Sequence, residues 1–433
     1  MNKTLKVILV ILVVVFVGVA SFSGGFVVGH FLPAMNGQAL PAPVVNSAPS
    51  TDQQAATPQD AQTLFKPFWE AWNIIHQEYV DQPVDDVKLM QGAISGMLQS
   101  LGDAHTTYMD PQTYKAATTE LAGSYEGIGA YVDTSGDYLT ITSPIPGSPA
   151  DKAGLRPGDQ IVKIDGQDMT GVNAEVAHQK VLGPAGTTVH LTIKRAGEVA
   201  LLEFDIVRAK INIPSATGKM LDNGIAYIQI TTFGDKTTSE LTATLKTLMA
   251  QHPKGIILDL RFNGGGYLQT AVEVVSQFVG KGVVLYEKYG DGTKKPYDVI
   301  PGGMATDTSI PMAVLINEGS ASASEITAGA LQDYGRAKLV GVTSYGKGTV
   351  QNWVPLSNDQ GAVRVTIARW LTPNGHTIDK LGLTPDVYVE RTPADYQAGR
   401  DPQLDAAIQT VMALINNQPI PTSIPTPTPT PIP

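Results

Sequence analysis

The sequence predicts a multidomain protein of the α/β class, and three observations support this. The chain has 433 residues, more than a single hydrophobic core usually organises. From Ile211 onward, apolar segments such as GIAYIQI and GIILDL alternate with helical segments such as LTATLKTLMA, the pattern of a largely parallel sheet. Residues 123–207 instead show short strands separated by Gly and Pro turns, which predicts a separate β-rich domain. Functional groups are expected on loops at the strand ends of the parallel sheet.

At the N-terminus, residues 5–32 form a nearly charge-free apolar stretch with Lys3 and Lys6 at its start. Length and charge placement predict a single transmembrane helix within residues 1–32, with the rest of the chain on the extracytoplasmic side of the cell membrane. The alternative is a cleaved signal segment and a secreted protein, because small residues follow Gly18 where a signal peptidase would cut.

The remaining divisions follow from composition and periodicity. Segments rich in Pro, Ala, Ser and Thr bury too little apolar surface to fold and are expected to be extended. Apolar residues at helical spacing, as in FWEAWNIIHQEYV, predict a helical region before the β-rich domain. The predicted parts after the anchor are a linker (33–63), an N-terminal helical region (64–117), a β-rich domain (118–207), an α/β core (208–395), a C-terminal helix (396–417) and a Pro/Thr-rich tail (418–433).

Overall composition excludes several functions. The formal net charge is −10, and no Lys/Arg run offers a surface for a phosphate backbone, so nucleic acid is not an expected partner. Because cysteine is absent, thiolate nucleophiles, disulfides and Cys-based metal sites are excluded. The seven histidines include no HExxH motif. We therefore expect no metal and no cofactor.

The first segment that suggests chemistry is a serine-rich turn after the strand MAVLI. Ser322 is expected at the N-terminus of a helix, where unpaired N–H groups and the helix dipole stabilise a developing oxyanion. This placement suits a nucleophile. Serine is also a favoured N-cap residue, so the turn alone leaves both interpretations open.

Two further loops carry candidate groups. Lys347 lies between two glycines in SYGKGTVQ, and it acts as a base only if burial depresses its pKa. Gln351, an even number of residues later, faces the same side if the segment is a strand and is placed to hold the lysine. The loop DLRFNGGG, which contains Gly265, presents backbone donors to an anion but lacks the Lys-Ser/Thr of a nucleotide-binding loop.

Together, SASASEI, GKGTVQ and DLRFNGG, in this chain's spacing, resemble the C-terminal processing (tail-specific) peptidase family. The resemblance implies a serine peptidase core with a catalytic Ser-Lys dyad. It assigns the residues as follows: Ser322 as nucleophile, Lys347 as general base, Gln351 as the residue positioning the lysine, the backbone near Gly265 and the N–H of Ala323 as the oxyanion hole, and Glu325 in a supporting role.

The same family carries an inserted PDZ domain, and YEGIGA with GSPADKAGLRPGDQIVKIDG resembles that module. By this resemblance Gly127, Ile128 and Gly129 bind the terminal carboxylate of protein or peptide substrates with free, preferably apolar C-termini. Leu182 stands where many relatives have a basic residue, so an electrostatic relay to the active site is not implied. The helical region is expected, again by resemblance, to serve as a dimerisation or lid element, which makes a homodimer the expected assembly.

Two alternatives remain at this stage. Within the hydrolases, a Ser-His-Asp mechanism would use His105, the most motif-like histidine, although no GxSxG elbow is present. In a different class, a non-catalytic scaffold would use the PDZ domain to bind C-terminal tails in the cell envelope. Such a scaffold needs the GIGA loop but does not need Ser322, Lys347 and Gln351 together.

Overall fold

The computed structural model describes residues 58–420, which fall into two units, residues 58–86 and residues 87–420. The first unit contains helices α1 (Pro58–Leu64) and α2 (Lys66–Glu78). A proline in the first turn of α2 is tolerated because that position has no intrahelical donor to lose. The rings of Phe68 and Trp69 pack edge to face with centroids 5.1 Å apart.

The predicted N-terminal transmembrane helix is the one part of the fold class that has to be corrected. None of the helices within residues 58–420 is long and apolar enough to cross a membrane. The longest of them have 14 residues, about 21 Å at 1.5 Å per residue, against a hydrocarbon core of about 30 Å. The apolar segment on which the prediction was based, residues 1–32, lies outside the described residues, as do residues 33–57 and 421–433.

The second unit begins with α3 (Asp86–Gln99), β1 (Thr107–Met109) and α4 (Pro111–Leu121). The sequence DP starts α4, because the Asp110 carboxylate accepts from the N–H of Thr113 at 2.9 Å and Pro111 occupies the first turn. Strand β1 pairs with a strand some 250 residues later, with Thr107 opposite Arg364. This part of the predicted helical region is therefore built into a sheet of the α/β core.

The β-rich domain contains ten short elements with a core of their own. Its five main strands form an antiparallel sheet in the order β3-β4-β5-β7-β8. Strand β3 pairs only with β4, which leaves its other edge open among the described residues. Strands β2 and β9 pair with Gly127 opposite Ala209, so the chain enters and leaves the domain at one point. The elements are β2 (Ser124–Gly127), β3 (Ala130–Asp133), β4 (Thr140–Pro144), α5 (Pro149–Ala153), β5 (Gln160–Ile164), β6 (Gln167–Asp168), α6 (Ala174–Val181), β7 (Thr188–Lys194), β8 (Leu202–Val207) and β9 (Ala209–Asn212).

The α/β core follows in chain order. Its elements are β10 (Ala216–Met220), β11 (Ile225–Ile230), α7 (Thr237–Met249), β12 (Gly255–Asp259), α8 (Leu268–Ser276), β13 (Val283–Tyr289), β14 (Lys294–Asp298), β15 (Met312–Ile316), α9 (Ala323–Asp333), β16 (Lys338–Gly341), β17 (Thr349–Pro355), β18 (Ala362–Leu371), β19 (Val387–Tyr388), α10 (Pro393–Gln397) and α11 (Pro402–Ile415).

A six-stranded sheet in the order β10-β11-β12-β15-β16-β19 forms the centre of the core and is parallel from β11 to β19. All residues of β12 and β15 are buried, because helices α7, α8 and α9 cover one face and α11 covers the other. The predicted largely parallel sheet is confirmed. The loops that follow β12, β15 and β16 leave this sheet at the same edge.

A second, antiparallel sheet lies beside that edge. Strand β18 is its longest member and pairs with β1, β13 and β17. The register places Gln351 opposite Thr366, and Trp353 opposite Arg364. Partners that face each other across antiparallel strands extend to the same side of the sheet. The sheet therefore presents these polar and aromatic side chains as one surface.

Candidate active site

A cleft of about 640 Å³ lies where the loops after β12, β15 and β16 meet the antiparallel sheet. Ser322, Lys347, Gln351 and Gly265 all line it. The structure thus brings together residues that are up to 86 positions apart in the sequence. The remaining walls come from α4, β17, β18 and the start of α8, and include Tyr114, Thr118, Leu121, Tyr267, Trp353 and Arg364.

Ser322 precedes the first residue of α9 and has an unusual backbone conformation. Its φ is 55° and its ψ is −114°, whereas an ordinary N-cap residue is extended. A non-glycine residue at such angles costs about 1–3 kcal/mol and persists where surrounding contacts hold it, which is common at functional sites. Helix capping alone does not require this strain, so the geometry favours the nucleophile over the simple cap.

Glu325, one turn into α9, holds the Ser322 turn and the Lys347 loop together. Its side chain is fully buried and accepts four hydrogen bonds. Oε2 accepts from the backbone N–H groups of Ser322 at 2.8 Å and Lys347 at 2.9 Å. Oε1 accepts from the Ser344 hydroxyl at 2.6 Å and the Gly346 N–H at 2.7 Å. A single carboxylate therefore fixes the spacing between the backbones of both predicted dyad residues.

The Lys347 side chain is half-buried, and its ammonium nitrogen makes no ion pair or hydrogen bond within residues 58–420. Burial lowers its pKa below the ordinary value of 10.5, and the nearby charge of Arg364 lowers it further, while the Glu325 carboxylate acts in the opposite direction. Gly346 has a φ of +88°, and a Cβ there would lie 2.9 Å from the amide nitrogen of Gly382. Only glycine fits before the lysine.

Gln351 lies in the cleft but contacts its neighbours on the sheet. Its Nε2 donates to Thr349 Oγ1 at 2.8 Å and to Thr366 Oγ1 at 3.2 Å. No hydrogen bond joins it to Lys347 among the described residues. The two threonines fix the amide orientation, Gln351 and Lys347 both line the cleft, and the positioning role of Gln351 stays a prediction.

The loop after β12 is shaped by Asn263, which is completely buried. Its Oδ1 accepts from the N–H of Gly265 at 2.9 Å, and its backbone oxygen accepts from the N–H of Ala321 at 3.0 Å. A Cβ on Gly265 would lie 2.9 Å from the nitrogen of Ala323, so the two predicted oxyanion-hole segments are in contact. Because the Gly265 N–H is already used, donors near it must come from adjoining glycines such as Gly266.

The predicted carboxylate-binding loop joins β2 to β3. Its carbonyl groups are turned toward the start of α5, where Ile128 O accepts from Ala150 N at 2.8 Å and Gly129 O accepts from Ser148 Oγ at 2.7 Å. The amides of Ile128 and Gly129 donate to no group within residues 58–420. Among the described residues these donors are free, as a carboxylate-binding loop requires.

Comparison with known proteins identifies the family. The model of peptidase family S41 matches residues 224–389. The carboxy-terminal processing protease CtpA of Bacillus subtilis is 38% identical over 376 residues, which cover 87% of this chain and 78% of the relative. The chain belongs to the carboxy-terminal processing protease family. CtpB of the same organism is also 38% identical, over 359 residues covering 80% of this chain and 73% of the relative.

As a carboxy-terminal processing protease of family S41, the protein is a serine-type peptidase. The PDZ domain model matches residues 140–195, and a model described as the activating protease CtpB N-terminal domain matches residues 25–113. A solved putative S41 protease from Bacteroides fragilis superposes with a TM-score of 0.50 at 16% identity, covering 80% of this chain and 95% of that one. At that identity the likeness shows the fold alone.

Several residues of this protease's cleft were not found from the sequence. Tyr114 and Trp353 form an edge-to-face pair with centroids 6.4 Å apart, and both line the cleft. Arg364 lines it from β18. Their positions depend on strand pairings across more than 200 residues, although the alternating pattern of the strand AVRVTIARW signals that Arg364 and Thr366 share a face. His105 does not line the cleft, but its backbone oxygen accepts from Arg364 Nε at 3.0 Å.

Proposed function

We propose that this carboxy-terminal processing protease cleaves peptide bonds with Ser322 as the nucleophile and Lys347 as the general base, and that its PDZ domain binds the free C-terminus of the substrate. The observation that supports the dyad most strongly is the Glu325 carboxylate, which binds the backbone of both residues at one cleft. The bond to the Ser322 N–H is also a helix-capping contact, but capping does not require the same carboxylate to bind the lysine loop.

The chemistry follows from this arrangement. The neutral Lys347 amine takes the proton of the Ser322 hydroxyl as its oxygen attacks the scissile carbonyl carbon. The negative charge that develops on the carbonyl oxygen is stabilised by the Ala323 N–H, by amides near Gly265 and by the N-terminus of α9. The lysine then protonates the leaving amine, which leaves an ester on Ser322. Water hydrolyses this ester with Lys347 again as the base.

Lys347 must be neutral for the first step, and its surroundings favour that state. Burial removes water from the ammonium group and Arg364 repels it, so the pKa of Lys347 is lowered. No carboxylate pairs with the nitrogen within the described residues. Glu325 directs its hydrogen bonds to the backbone of the lysine loop, and it therefore positions this base without forming an ion pair with it.

Tail recognition is assigned to the open edge of β3 and the loop before it. An extended peptide adds to such an edge as a further strand, while the amides of Ile128 and Gly129 bind its terminal carboxylate. An apolar last side chain is expected to fill the adjoining space, because Leu182 lies against Gly127 at this loop. The proposed substrates are proteins or peptides with free, apolar C-termini.

Amidating the C-terminus of a peptide substrate is expected to lower kcat/KM by about tenfold, because amidation removes the charge in hydrogen bonds worth about 1.5–3 kcal/mol. The preference should disappear when residues 128–208 are replaced by Asn-Gly, a turn suited to the antiparallel pair that ends at Gly127 and Ala209. The measurement is kcat/KM for free and amidated peptides with both proteins.

Equal rates for the two peptides with the intact protein would rule out tail recognition. A preference that survives the replacement would place the carboxylate site in the catalytic core. The scaffold alternative is tested with Ser322→Ala, which should still bind the free-ended peptide but no longer cleave it. Cleavage by that variant would contradict the assignment of Ser322.

A further inference from the structure

Arg364 has hydrogen-bonding capacity that the protein itself does not use. Its Nε donates to the His105 backbone oxygen at 3.0 Å. Its two terminal nitrogens make no hydrogen bond, and no carboxylate lies within ion-pair distance among residues 58–420. The guanidinium group therefore keeps most of its five donors free inside a concave site.

Other arginines of the chain show what an internal partner looks like. Arg195, Arg261 and Arg400 each have a carboxylate oxygen within 2.8 Å. Arg336 is buried without a carboxylate, but it donates to three backbone oxygens. Arg364 has no carboxylate partner, donates to one backbone oxygen only, and lines the cleft that contains Ser322. Its free donors are thus available to a molecule that enters the cleft.

The charge around Arg364 defines the chemistry of that molecule. Lys347 and His105 lie near enough for its charge to lower the pKa of both groups. An anionic group would relieve this repulsion, whereas a cationic group would increase it. Guanidinium geometry matches a carboxylate, which it binds through two parallel hydrogen bonds. Trp353, opposite Arg364 in the register, gives the subsite an aromatic wall.

We propose that Arg364 forms a specificity subsite that binds a carboxylate of the peptide substrate, from an acidic side chain or from the C-terminus. The inference rests on the proposed function, because it places this group relative to the bond that Ser322 attacks. Strand β17 begins at Thr349, next to the lysine loop, and reaches Trp353, the partner of Arg364, after roughly 13 Å. This is the approximate distance along the strand between the dyad and Arg364. Allowing for the length of the arginine side chain, the bound carboxylate belongs roughly two to four residues from the cleaved bond.

The experiment compares matched peptides with the full-length protein. In a series of otherwise neutral peptides, a single Glu is placed at one position after another on either side of the cleaved bond. Each of these peptides has a partner with Gln at the same position. Wild type should prefer Glu at one position by about tenfold in kcat/KM. Arg364→Gln should reduce that ratio to about one, and Arg364→Glu should favour Lys at the same position. Arg369→Gln, an exposed arginine on the same strand, is the matched control and should keep the ratio.

The ratio of kcat/KM for Glu and Gln peptides separates carboxylate binding by Arg364 from the effect of its charge on the pKa of Lys347. Loss of the arginine charge should raise the pKa of Lys347 and slow all peptides equally, so this effect cancels between Glu and Gln partners. If the bound carboxylate is instead the C-terminus of the peptide, Arg364→Gln should remove the preference for peptides with a free C-terminus over amidated ones. Unchanged ratios in Arg364→Gln would overturn the subsite. With Ser322→Ala inactive in the same assay, the proposed catalytic function would survive that result.

Discussion

Replacing Ser322 by Ala, Lys347 by Ala, and both together is expected to give three variants with the same residual activity. A serine hydroxyl is a poor nucleophile until a positioned base removes its proton, so the two residues act as one unit. Each variant should lose at least about 10⁴-fold in kcat. Lys347→Arg should be as inactive, because a guanidinium group stays protonated at every accessible pH. The measurement is kcat on an unstructured protein substrate.

The matched control for this series is His105→Ala, which tests the Ser-His alternative. The side chain of His105 does not line the cleft, and the bond from Arg364 goes to its backbone oxygen, which alanine retains. We expect this variant to lose more thermal stability than turnover. An inactive His105→Ala with unchanged melting temperature, or additive losses at Ser322 and Lys347, would contradict the dyad.

Glu325→Gln is expected to lower kcat by about 100-fold with little change in KM. Glutamine offers one acceptor oxygen where the carboxylate offers two. Its NH₂ group would face the N–H donors of Ser322 and Lys347, which would then lack an acceptor. Each buried donor left unpaired costs about 1–3 kcal/mol of stability. Loss of the negative charge should also shift the pH profile to lower pH, because Glu325 raises the pKa of Lys347. The measurement is kcat and KM as functions of pH.

Glu287→Gln is the control for burial alone. Glu287 is a buried carboxylate that accepts from the hydroxyls of Tyr289 at 2.6 Å and Tyr297 at 2.8 Å, on strands β13 and β14. Its replacement should lower the melting temperature without moving the pH profile. If Glu325→Gln only lowered stability in the same way, its role in positioning the dyad would have to be abandoned.

Local sequence patterns predicted much of the central sheet and its loops. Fully apolar strands such as GIILD and MAVLI indicated parallel strands, and Ser322, Lys347 and Gly265 were expected on their end loops because parallel strands end at one edge. Their convergence on one cleft needed the structure. The geometry of each turn is set by its own residues, whereas the distance between turns depends on how the strands pair.

The walls of the cleft show where sequence reasoning fails. Strand β1, predicted within a helical region, pairs with β18 and so fixes Arg364 beside His105. Nothing near Arg364 in the sequence shows that its donors lack a partner, because partners are supplied by residues far along the chain. No helix within residues 58–420 is long and apolar enough to span a membrane, and the apolar segment behind the predicted membrane helix, residues 1–32, lies outside the described residues.

The most direct test of the central claim is the rate at which a serine-reactive fluorophosphonate labels the protein as a function of pH. Charged neighbours of Lys347 are Arg364, Glu325 and His105. Because only the neutral amine acts as a base, the rate should rise with pH through a pKa below 10.5, the ordinary lysine value. Mass spectrometry should find the label on Ser322, and Lys347→Ala should remove both the fast labelling and its pH dependence. Labelling of another residue, or an unchanged pH-dependent rate in Lys347→Ala, would contradict the Ser-Lys dyad.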